Sequence, residues 1–328
     1  MKASISIQFS WIFIFIVGAV MLIFFVSLVK NQEKQSDSGI AIDILQNLGG
    51  LIRGAEGSPD TLKRYTVPEF TYDASCEPGS NELIIGDGSY RMDLADQAVF
   101  SPRKIKGPIL LAWTVPFEKP FRSRTLVYLT SSKVQYVFVR DGESYRYLLE
   151  NISSSFPQGI DVKIVNKVNE VQSGYDKTIT ISIGDPNENT DVIILPHSGT
   201  NKNDDWGDLK IRVESGYSTL KYSSRAMLIG AIITGDAERY ACNMDKILDN
   251  HARVAKVLKE RAKSMSVILK DDPATQQCAN LLGLGSNVLD KIITNAQERN
   301  IDALESNAAV LTNLNDDLAR AGSCPQIY

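Results

Sequence analysis

The chain has 328 residues, 43% of them hydrophobic and 23% charged, with a formal net charge of −4. So much apolar side chain excludes a disordered polymer and supplies a real core. Mild acidity without a Lys/Arg cluster of five or more excludes general nucleic-acid binding, which needs a basic patch against phosphates.

From Ala3 to Val29 no side chain is charged. As a helix this run reaches about 40 Å, enough to cross a hydrocarbon core about 30 Å thick. It is about twice the apolar length of a cleaved secretory signal, so the expectation is a retained anchor over residues 1–30, in the membrane through residues 3–29. Flanking charge leaves the orientation nearly balanced, with Lys2 on the short side and Lys30 and Lys34 past the other end. Four cysteines tip it. Cys76, Cys242, Cys278 and Cys324 form an even, scattered set without a CxxC or Cys/His cluster, which suits two disulfides in an oxidising compartment. The expected arrangement is a single-pass protein of the cell membrane with its C-terminal ectodomain outside the cytoplasm.

Lys2-Ala3-Ser4, directly before the apolar run, resembles the archaeal class III, prepilin-type signal, in which cleavage follows a charged-then-small pair. The resemblance covers the first 30 or so residues and implies Ser4 as the mature N-terminus. Ala3 stands where Gly is usual, and Gln8 where many pilins carry Glu. The layout as a whole, through Ser323-Cys324-Pro325-Gln326-Ile327-Tyr328, looks like archaeal envelope proteins and implies no particular activity.

Residues 31–57 read as a polar spacer followed by a juxtamembrane amphipathic helix, with Ile40, Ile44, Leu48, Leu51, Ile52 and Ala55 at helical spacing. Glycines and Pro59 then mark a boundary near residue 57. Across 58–235 the pattern changes to short strands, among them Leu83–Ile85, Ile109–Trp113, Thr125–Leu129, Val134–Val139, Ile160–Ile164, Thr178–Ile183, Val192–Leu195 and Leu209–Val213. Val134–Val139, a helical stretch over Glu143–Ser154 and Ile160–Ile164 predict a strand-helix-strand crossover. The class is therefore α+β: an antiparallel portion before residue 125, and an α/β-like portion after it.

Residues 236–328 hold no strand pattern. Tyr240, Met244, Ile247, His251, Val254, Leu258, Arg261, Met265 and Ile268 alternate in steps of four and three and predict one long helix, broken at Asp271-Asp272-Pro273. A second is predicted over Ser286–Arg320, with Leu304, Leu311 and Leu318 seven apart. Two long helices joined by a short break predict an antiparallel hairpin with coiled-coil character. That geometry puts Cys242 and Cys324 at one end, so the expected bridges are Cys242–Cys324, worth about 3 to 5 kcal/mol by loop closure, and, by elimination, Cys76–Cys278.

Signals for chemistry are weak. His197 and His251 are the only histidines, too few for a typical metal site. His251 falls on the helical seam and reads as a core residue. His197, in Pro196-His197-Ser198-Gly199 after a strand, reads as a turn residue, since no Gly-x-Ser-x-Gly elbow surrounds Ser198. Asp185–Asp191 begins like a calcium loop but has Thr190 where Gly is needed and Pro196 where Glu should close it. Gly86–Ser89 is a turn, and neither a GxGxxG nor a Walker loop is present, so no cofactor is implied. Asn151-Ile152-Ser153 satisfies the N-glycosylation pattern, on a predicted helix.

The function these features favour is a noncatalytic, membrane-anchored structural or interaction protein of the cell envelope. Its helical hairpin would be the assembly or docking surface, for a protein partner or a second copy. One alternative is a pilin-like minor subunit processed before Ser4. Another is an anchored envelope hydrolase using carboxylates near strand ends, such as Asp141, Asp185, Asp204 and Asp205.

Overall fold

The computed structural model describes residues 3–54, 57–68, 70–77, 80–86, 88, 90–140, 145–167, 170, 174–184, 190–196, 206–322 and 324–328. Residues Met1–Leu48 and Gly49–Tyr328 are two compact units. Helix α1 runs unbroken from Ala3 to Gly54, and its Phe13–Lys30 stretch is the one described helix long and apolar enough to cross a membrane. Side chains there such as Phe15 and Ile23 are exposed, as lipid-facing groups would be.

The second unit is α+β, built on three sheets. Strands β1 (Leu62–Thr66), β5 (Val99–Phe100), β6 (Ile109–Glu118) and β7 (Arg122–Ser131) form one sheet in the order β1-β6-β7-β5. It is antiparallel apart from β5, which runs parallel to β7. Strands β2 (Tyr72–Glu77), β3 (Ser80–Ile85) and β4 (Tyr90–Asp93) form an antiparallel meander.

The largest sheet is ordered β13-β12-β11-β10-β8-β9. Its members are β8 (Val134–Val139), β9 (Asp161–Val165), β10 (Lys177–Ile183), β11 (Val192–Pro196), β12 (Gly207–Val213) and β13 (Gly216–Tyr222). The expected crossover is present, with β8 and β9 parallel and α2 (Arg146–Ser154) between them in the chain. β10 and β11 extend the parallel part, while β12 and β13 close it as an antiparallel hairpin. All six residues of β8 are buried, which is why Val-Gln-Tyr-Val-Phe-Val reads as a run instead of an alternation.

Helix α3 (Arg225–Thr234) packs against β5, β6 and β7 of one sheet and β10 and β13 of the other. Between two sheets it has no wet face, and Ala226 through Thr234 are all buried. Gly230 lies against the Phe100 ring, where an added Cβ would come within 2.9 Å of three ring carbons. The helix ends on Gly235 in the left-handed region (φ 54°), and Asp236 then caps α4 (Ala237–Leu269) by accepting from the Arg239 amide at 3.1 Å.

Candidate functional site: the C-terminal helices

The first turns of α4 belong to the core. Asn243 Nδ2 donates to the Val99 carbonyl and its Oδ1 accepts from the Val99 amide, both at 3.0 Å, so one side chain supplies β5 with the pair of hydrogen bonds a neighbouring strand would give. Arg239, 8% exposed, meets Asp73 of β2 at 2.5 Å. The Cys76–Cys242 disulfide joins the same two elements. The meander is thereby tied to α4 by a charge pair and a covalent bond.

Further along, the helices depart from the expected hairpin. The second predicted helix is two: α5 (Gln276–Gln297) and α6 (Ile301–Arg320). Arg299 sits at φ 59° between them, and Asn300 caps α6 by accepting from the Ala303 amide. No Gly or Pro marks this break. Tertiary charge pairs hold it, with Arg299 Nε 2.6 Å from Asp245 and Nη2 2.9 Å from Asp249 on α4.

The extra reversal corrects the cysteine pairing. The bridges are Cys76–Cys242 and Cys278–Cys324, not Cys242–Cys324 and Cys76–Cys278. Three successive antiparallel helices carry the end of α6 back to the start of α5, where Cys278 lies, instead of to the start of α4. The tail then folds onto the helices: Ile327 is fully buried, its amide donates to Asn315 Oδ1 at 2.8 Å, and its side chain fills the space left by Gly285.

The seam is built from Ala252, Ala255 and Ala262 on α4, Leu282, Leu289 and Ile292 on α5, and Leu304, Leu311 and Leu318 on α6. Alanines on α4 let the helices approach closely. The turn between β6 and β7 enters the same cluster through Phe121. Phe121 stacks on His251 at 4.5 Å, Phe117 meets that ring edge-on at 5.6 Å, and Lys119 pairs with the buried Glu305 of α6 at 2.7 Å. His251 is thus a core residue, as its place in the seam predicts, and neither ring nitrogen has a hydrogen-bond partner among the described residues. Burial lowers its pKa to about 4, so it is neutral at pH 7 and ill suited to proton transfer there.

Beyond Ala252 the outer faces of α4 and α5 are left uncovered. From Arg253 to Lys270, α4 carries six cations and one carboxylate. Lys259, Lys263 and Lys270 line an open groove of about 690 Å³ between α4 and α5, together with Ser266, Val267, Ala279, Gly283, Leu284 and Asp290. Lys259 pairs with Asp290 at 2.6 Å. The floor is small-sided, since a Cβ on Gly283 would meet only the Ser266 hydroxyl, at 3.4 Å. Of its lining residues Val267 is 65% and Leu284 53% exposed.

Other predicted positions assemble no catalytic site. His197, Ser198, Asp141, Asp185, Asp204 and Asp205 lie outside the described residues. Asp191, from the calcium-like loop, accepts from the Thr180 amide and hydroxyl at 2.8 Å. Asn151, the glycosylation candidate, is half-buried on α2 and its amide oxygen accepts from Arg225 at 2.9 Å. A concavity of about 330 Å³ beside Trp113, Lys119, Ser155 and Arg225 offers no imidazole or thiol. Among the described residues no three His, Cys, Asp or Glu side chains gather as a metal site.

The chain matches no protein-family model, no curated protein and no solved structure.

Proposed function

We propose that this chain is a membrane-anchored structural or interaction protein of the cell envelope. The apolar part of α1 holds it in the bilayer, the disulfide-bonded body stands on the oxidising side, and the outer face of α4–α6 is its docking surface. The observation that carries this reading is the cation-rich, apolar-studded groove between α4 and α5 on an otherwise well-packed body. A surface of that kind costs solubility unless something covers it.

Two measurements on whole cells test it. Protease and membrane-impermeant thiol reagents applied after mild reduction should reach the ectodomain from outside, and a photocrosslinker at Lys263 should capture a protein while one at Lys63, on β1, should not. An ectodomain reached only from the cytosol, or a Lys263 crosslinker that captures nothing, overturns the proposal.

The unbroken course of α1 from Ala3 to Gly54 favours the pilin-like alternative, in which the helix beyond the membrane is a stem. N-terminal sequencing of the cellular protein tests that reading: Ser4 as first residue supports it, and an intact Met1 or Lys2 start excludes it.

A further inference from the structure

Resting on the docking-surface reading above, we propose that the occupant of the α4–α5 groove is helix α6 of a second copy of this chain. The uncovered face of α6 presents Ser306, Ala309, Val310, Asn313, Asp316 and Asp317, all exposed. Apart from Glu305, buried against Lys119, α6 carries Asp302, Asp316 and Asp317 against Arg320, with Asp302 paired to Lys221 and Asp317 to Arg320, where the groove is lined by Lys259, Lys263 and Lys270 against Asp290. The two faces are opposite in charge, and each has small residues flanking exposed apolar ones.

Charge also decides against the simplest alternative, groove on groove. That contact would bring Lys259, Lys263 and Lys270 of two copies together, with only Asp290 of each to offset them. With Val310 seated over Gly283 and Ser266, Asp317 lies two helical turns away, about 10 Å along α6. Lys259 lies the same distance from Ser266 along α4, so a docked α6 running antiparallel to α4 brings Asp317 level with Lys259 and Asp316 within about 5 Å, along the axis, of Lys263. Among the described residues Lys263 and Lys270, both lining the groove, make no ion pair. Every copy carries both surfaces, so the contact either repeats head to tail or closes reciprocally as a pair.

The test uses the full chain in mild detergent, with mass followed by light scattering over a concentration series and α-helix content checked for each variant. Wild type should run above single-chain mass. K259E with K263E, and separately D316K with D317K, should each weaken association about tenfold or more and return single-chain mass. Mixing those two proteins should restore the larger mass, because the acidic groove of one then faces the basic α6 of the other. G283L, which fills the groove floor where only Ser266 is near, should stay folded and lose association. Wild type at single-chain mass throughout, or a charge-reversed pair whose mixture stays at single-chain mass, overturns the inference. A monomeric wild type whose Lys263 crosslinker captures a different protein on cells would sink this inference and leave the docking reading standing. A crosslinker that captures nothing would sink both.

Discussion

The two halves of α4 share one helical periodicity and are held in different ways. Up to His251 the helix is gripped by specific polar pairs, Asn243 on β5 and Arg239 on Asp73, and by a disulfide to β2. Beyond Ala252 it is held mainly by an apolar stripe, Ala255 and Ala262 with Leu258, Met265 and Leu269, and by exposed or half-buried polar contacts such as Lys259 with Asp290, with cations and Val257 and Val267 left outward. Buried polar contacts are costly when broken, because each leaves a desolvated partner behind; an apolar stripe yields gradually. The inner half is therefore suited to fixing the fold, and the outer half is the part on which the proposed docking role rests.

Mutation should separate these roles, with large effects where the β6–β7 turn meets the helices. Lys119→Met removes the cation 2.7 Å from the Glu305 carboxylate, 7% exposed, and should cost about 3 kcal/mol in denaturant unfolding. A loss below about 1 kcal/mol would show the junction to be softer than its geometry suggests. Removing the Cys278–Cys324 bridge with serines opens a loop of sequence separation 46 and should cost about 3 to 4 kcal/mol. Hydrogen exchange should then rise at Ile327 and Tyr328 first, and unchanged exchange there would mean the tail is held without the bond.

Acid should act through His251. Its folded pKa of about 4 lies below the usual value of 6.5, so the unfolded chain binds the extra proton over that window. Stability from this group is fully present above pH 6.5 and is lost as pH falls toward 4, by about 3 kcal/mol in all. His251→Leu should flatten that slope in unfolding curves taken at pH 7 and pH 4.5. An unchanged slope would place the acid sensitivity elsewhere. On the outer half, Val267→Ser and Lys270→Ala should change unfolding free energy by no more than about 0.5 kcal/mol. A larger loss from either would show that the groove is part of the folded core and not a surface held open.

Much of the fold was legible because it rests on local periodicity. Val134–Val139 announced a strand, and the crossover through α2 followed from a change of period between two apolar runs. Helix α3 was missed because burial on every side erases the amphipathic signal, leaving Ala-Met-Leu-Ile-Gly-Ala-Ile-Ile without a polar face. An uncovered helical face was expected from long helices with small or polar seam residues such as Asn307 and Arg261. Its groove was not, since that requires Lys259 and Lys263 of α4 to face Gly283 and Asp290 of α5 across space.

By itself, the sequence determined the apolar helix near the start, the α+β class, the helical C-terminal third and the even set of oxidisable cysteines. Each depends on residues close together in the chain or on composition alone. The tertiary structure decided the helix break at Arg299, the partner of each cysteine and the neutral state of His251. The break is fixed by ion pairs to Asp245 and Asp249 about fifty residues away, and it sets the number of chain reversals before Cys324. Which thiols meet follows from that count of reversals, a property of packing that no local pattern encodes.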